Sequence, residues 1–136
     1  MSAENVEVVR ASWDAWRDRG LDAYVSYVDE DVEWRAIEGA PDDHGPIEGR
    51  AALHAYIAEW DDMFEGLTNE ALEIVEAGAD RVVSVQRVSG TAKMSGAPAE
   101  LVYGIVYTVR NGKIVSGREY ATREAAFEAA GLPVAN

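Results

Sequence analysis

The stretch "ELVYGIVYTVRNGKIVSGREYATREAAFEAAG", Glu100 to Gly131, carries most of what the chain says about its fold. Asn111-Gly112 is a strong hairpin signal, because a two-residue turn needs left-handed backbone at both central positions. Alternating apolar residues run up to it and away from it, so an antiparallel strand is expected on each side. After Ala121 the period becomes helical, with Thr122 as the cap, Gly131 as the stop and Pro133 just beyond. Such a turn sets Arg110 opposite Lys113, and from there Val109 opposite Ile114, Val106 opposite Gly117 and Gly104 opposite Glu119. Opposed residues project to one side of a sheet. Glu119 is therefore expected to share a face with Val102, Gly104, Val106 and Gly117, small neighbours that leave room for a ligand or admit a close-packed helix. Tyr103, Ile105, Tyr107 and Tyr120 fall on the other face. That face reads as too aromatic to stay in water, so it is expected to pair two copies of the chain.

Upstream, Val6, Val9, Trp13 and Trp16 recur at helical spacing, with Ser2 as a cap and Gly20 as the end. A second short helix is expected with Leu21, Tyr24, Val25 and Val28 on one face, then a strand over Asp31 to Ile37. Glu38 to Gly49, rich in glycine and proline, reads as a loop. Arg50 to about Glu65 reads as a third helix with Leu53, Ile57, Trp60 and Phe64 along its buried side. After Gly66 the pattern gives four strands and the closing helix. Helices followed by antiparallel strands make an α+β domain. Here the expectation is a cone-shaped, curved antiparallel sheet covered by amino-terminal helices, the cystatin-like α+β barrel, over one domain of 136 residues.

Charge narrows the partners. Asp and Glu number 25 against 12 Lys and Arg, a net charge of −13. Binding nucleic acid or an anionic membrane needs a positive patch, so neither is an expected partner. With no cysteine, disulfides and thiolate metal sites are impossible. The amino terminus lacks a basic region followed by an apolar run, and the expected location is cytoplasmic. "PDDHG" sets His44 beside Asp42 and Asp43, but three neighbouring loop residues rarely reach one ion, and no metal is expected. The loop reads better as a lid over the mouth of the cone. No phosphate loop or dinucleotide fingerprint appears, and no cofactor is expected.

The element order, Gly49-Arg50 opening the third helix, and the tail "NGKIVSGREYATREAAFEAAGLP" resemble the SnoaL-like branch of the nuclear transport factor two-like superfamily. The tail is also similar to that of limonene-1,2-epoxide hydrolases. The resemblance implies a conical pocket and homodimers through the sheet. It does not imply one function, since the fold hosts cyclases, isomerases, hydrolases and non-catalytic modules. In the epoxide hydrolases a last-strand aspartate activates water, at the position held here by Glu119. Their Arg-x-Asp run falls on Arg87-Val88-Ser89, so the arginine is present and the protonating acid is a serine. Their water-holding tyrosine and asparagine fall on Trp34 and Ala36. The polar groups of the steroid isomerases fall on Trp13, Trp34 and Val102, none of which can do their work.

The resemblance thus implies Glu119 as a catalytic base with Arg87 as its partner, a pair that would keep the carboxylate charged or be a structural salt bridge. Trp13, Trp34, Trp60, Ser89, Val102 and Gly104 are the expected substrate contacts, although each tryptophan also suits plain core. Three readings stand. One is a cofactor-free enzyme of cyclase, isomerase or hydrolase type acting on a small hydrophobic, polyketide- or terpenoid-like molecule. The others are a non-catalytic binding protein and an interaction module with a vestigial cavity.

Overall fold

A computed structural model describes residues 2–134. The elements in order are α1 (Ser2–Arg19), α2 (Leu21–Val25), β1 (Val28–Arg35), β2 (Ile47–Glu48), α3 (Arg50–Met63), β3 (Phe64–Glu76), β4 (Arg81–Ala92), β5 (Pro98–Arg110), β6 (Lys113–Tyr120) and α4 (Arg123–Ala129). The six strands form one curved, unclosed sheet in the order β2-β1-β6-β5-β4-β3. Its pairs are antiparallel except β1 with β6, which run parallel. The amino-terminal helices cover the inner face, giving the α+β cone that the pattern implies. No helix among the described residues is long and apolar enough to cross a membrane.

The main core lies between the helices and the inner face. Val9 and Trp13 of α1, Tyr24 and Val25 of α2, and Leu53 and Ile57 of α3 pack there against Val82, Tyr103, Ile105, Tyr107 and Ile114. The Gly49-Arg50 junction ties α3 to β1. Gly49 N–H donates to Val32 O at 2.7 Å, and the Arg50 guanidinium donates to Val28 O at 2.7 and 3.1 Å. Gly49 has φ 93°, a left-handed conformation that suits glycine. A smaller core sits on the outer face, where Ala126 and Phe127 of α4 and Ala130 just after it cover Val83, Val85 and Val106. Thr122 caps α4 by accepting from Ala125 N–H at 3.0 Å.

The β5–β6 hairpin turns at Asn111 and Gly112, with φ 52° and 75°. Arg110 pairs with Lys113 and Val109 with Ile114, and then the register slips. Thr108 pairs with Ser116, Tyr107 with Gly117 and Ile105 with Glu119. Val115 is the extra residue, a bulge that moves every later side chain of β6 to the opposite face. Glu119 therefore joins Tyr103, Ile105 and Tyr107, not Gly104. That aromatic face is the inside of the cone, with those three residues no more than 8% exposed. The small face of β5 is outside, and Gly104 is the close approach that admits Ala126 of α4. Burial of Tyr103, Ile105 and Tyr107 removes the exposed surface on which pairing of two copies was argued.

Candidate functional site

A cavity of about 440 Å³ opens between the inner face, the three amino-terminal helices and the loop over residues 36–46. All four tryptophans of the chain, Trp13, Trp16, Trp34 and Trp60, line it. Trp13 and Trp16 stack along α1 with ring centroids 5.4 Å apart, and both touch Tyr24. Trp60 stacks on Phe64 where α3 passes into β3. Trp34 reaches the cavity because its partner on β6 is Gly117, which has no side chain to obstruct the indole.

Glu119 is the polar centre. The Trp34 indole N–H donates to Glu119 Oε2 at 2.9 Å, and the Tyr56 hydroxyl lies 3.1 and 3.2 Å from the two carboxyl oxygens. The same hydroxyl stands 3.1 Å from Asp42 Oδ2, which also accepts from the Trp60 indole at 2.8 Å. A phenol has one hydrogen to give. While it points at one carboxylate, the other meets a bare oxygen, unless that carboxyl holds a proton of its own. Burial raises the Glu119 pKa most, Asp42 adds to the rise, and the Trp34 and Tyr56 donors oppose it. The outcome is a carboxyl pushed up from 4.5 to about 7. Burial, then the charges of Glu119 and Asp42, push the Tyr56 hydroxyl far above the usual phenol range, so it acts as a donor and not as an anion.

The loop is held where Asp42 can take part. Asp43 accepts from the Arg35 guanidinium at 3.1 Å twice and from the N–H groups of Gly39 and Gly45 at 2.9 and 3.1 Å. Arg35 and those two backbone donors hold its carboxyl well below the usual range. Deeper in, Asn69 donates to the Tyr103 hydroxyl at 2.8 Å, and Gln86 donates to Asn69 Oδ1 at 2.8 Å. The Tyr107 hydroxyl accepts from Trp13 at 2.9 Å and from Ser84 at 3.2 Å. Tyr24 is fully buried and lines the cavity, and its hydroxyl has no partner among the described residues.

Of the residues singled out in the sequence, Glu119, Trp13, Trp34 and Trp60 line the cavity. Arg87 does not partner Glu119. It lies on the outer face, paired with Glu70 and 4.0 Å from Glu100, with 42% of its side chain exposed. Ser89 is hydrogen-bonded to Thr68, and Val102 is an exposed outer residue. Gly104 packs under α4. The inward positions of β4 belong instead to Ser84, Gln86 and Val88, because alternation sends Arg87 and Ser89 outward. Asp42 and Tyr56 were not singled out as site residues. Tyr56 had a signal, standing three residues after Leu53 and four before Trp60 on the same side of α3. Asp42 has no such signal, because its sequence neighbours in "PDDHG" suggest at most a metal and nothing local links it to Glu119.

A family model for the SnoaL-like domain matches residues 9–117. The chain belongs to the SnoaL-like domain family. Solved structures place this SnoaL-like chain in the nuclear transport factor two-like fold. An NTF2-like protein of unknown function from Burkholderia pseudomallei K96243 superposes with a TM-score of 0.75 at 22% identity, over 92% of this chain and 95% of that one. TerC co-crystallised with polyporic acid gives 0.74 at 26% identity, over 94% and 98%. A candidate polyketide cyclase from Xanthomonas campestris pv. campestris gives 0.72 at 21% identity, over 95% and 98%. No curated protein matches the chain.

Proposed function

We propose that this SnoaL-like protein binds a small hydrophobic molecule, polyketide- or terpenoid-like, and moves a proton on it with Glu119 in a cofactor-free cyclisation or isomerisation. One observation carries the reading. A carboxyl titrating near neutrality stands on the wall of an aromatic cavity, held by an indole and a phenol. Such a group takes a proton from carbon and returns it at another atom, because its proton affinity suits both directions near neutral pH. The co-crystallised TerC and the candidate cyclase support a small-molecule role of this kind. Glu119→Gln is expected to retain the molecule that native mass spectrometry finds on the wild type, and to lose about a hundredfold or more in its turnover. Unchanged turnover would end the assignment of Glu119 as the base.

The second reading, binding without chemistry, is favoured by the placement of Arg87, which leaves Glu119 with donors but no cationic partner. Recovery of the bound molecule unaltered after long incubation would select it. A cavity of about 440 Å³ argues against an interaction module with a vestigial pocket. Opening an epoxide in the manner of the limonene hydrolases would use the arginine and acid of the earlier strand, and Arg87 and Ser89 both face outward. The homodimer now rests on the resemblance alone. Sedimentation at micromolar concentration is expected to show it, and a 14.8 kDa species alone would remove it.

A further inference from the structure

Granted that the cavity holds a small molecule, as proposed above, the charge of that molecule is what the lining specifies. No lysine or arginine lines it among the described residues. Its ionisable groups are Glu119, Asp42, Glu59 and His44, beside the phenols of Tyr24, Tyr56 and Tyr103. A carboxylate withdrawn from water without a cation must keep a proton or meet positive charge brought from outside. Glu119 has only neutral donors, and its single link to further charge, through Tyr56, leads to a second carboxylate.

We propose that the cavity is a receptor for a hydrophobic ammonium ion, its charge set against the tryptophan faces and balanced by Glu119 and Asp42. The faces of indole rings attract cations through their quadrupole, and four tryptophans line this one space. The Tyr24 hydroxyl points independently to a polar guest. Tyr24 is fully buried and lines the same space, its hydroxyl lacks a partner among the described residues, and a phenol oxygen is an acceptor for an ammonium N–H. An anion would meet three carboxyl groups and neither a lysine nor an arginine among the described residues.

The test uses the intact wild-type protein and three probes of similar size, read by tryptophan fluorescence at about pH 8. Protonated N,N-dimethylbenzylamine is the cation, isobutylbenzene its uncharged isostere, and phenylacetate the anion. The cation is expected to bind about tenfold tighter than the isostere, which corresponds to about 1.4 kcal/mol, and phenylacetate to bind more weakly than either. The preference should shrink as pH falls below about 7, where Glu119 keeps its proton. Of the other titratable groups facing it, the phenols of Tyr24, Tyr56, Tyr103 and Tyr107 stay neutral there. Glu119→Gln should lower the affinity for the cation about tenfold and leave that for isobutylbenzene unchanged. Isobutylbenzene binding as tightly as the cation would overturn the ammonium assignment and leave the cavity a hydrophobic site. Failure of all three probes to bind would overturn the reading of the cavity as a binding site as well.

Discussion

Above pH 7, Glu119→Gln is expected to be more stable than the wild-type chain by about 3 kcal/mol, a difference that vanishes towards pH 4.5. In the unfolded chain Glu119 is an ordinary carboxyl that loses its proton near 4.5, whereas the folded protein holds the proton to about 7. Between these values the folded state binds the extra proton. Wild-type stability contributed by this group therefore falls as pH rises through the interval and levels off above it. The carboxamide keeps an oxygen for the Trp34 indole and offers an N–H to the Tyr56 oxygen, so it removes the titration without vacating the site. Urea denaturation of both proteins across this interval measures the difference directly. Curves that remain parallel throughout would show that Glu119 titrates as an exposed carboxyl does, and its role as a proton-transfer group would fall too. A gain in stability on losing a functional acid is a frequent mark of a site built at the expense of the fold.

The second large effect concerns a residue with no side chain. Gly117→Ala is expected to cost about 3 kcal/mol, because a Cβ there would overlap the six-membered ring of Trp34. The indole has little freedom to retreat, since it is only 4% exposed and its edge packs on Tyr107. Any rotation that relieves the overlap pulls the indole N–H away from Glu119. Loss of that donor should raise the Glu119 titration above the wild-type value, because Trp34 opposes the effect of burial. Thermal unfolding and the pH dependence of tryptophan fluorescence would report the two consequences separately. A cost below about 0.5 kcal/mol would mean that Trp34 does not occupy this position in solution.

Much of the architecture was legible because it is written in local signals. The periodicity of Val9 and Trp13, the Asn111-Gly112 turn and the Thr122 cap each act over a few residues, and each sits where the pattern puts it. What escaped notice was determined by contacts between distant parts of the chain. The parallel pairing of β1 with β6 joins residues some eighty positions apart, for which no turn motif exists. The bulge at Val115 leaves no mark either, since "IVSG" suits a strand with or without an extra residue. The two departures from the simple pattern offset each other: the aromatic face is the inside, and the bulge sends Glu119 to that face. Its neighbours changed entirely, from glycines to tyrosines. Arg87 had no such compensation, and its expected bond to Glu119 is replaced by one to Glu70 across the neighbouring strand.

The slip at Val115 also bears on how a pocket of this shape changes its chemistry. Arg118 and Glu119 are adjacent and point to opposite sides of β6, and the bulge decides which one looks inward. Flattening the bulge with Val115 kept in the strand would restore the simple register, turn Glu119 out and bring Arg118 in. The interior would then reverse its electrical sign without any substitution. A chain of unchanged length can therefore exchange an acid for a base on the wall of the cavity by opening or closing a single bulge, while the helices and the turn stay as they are.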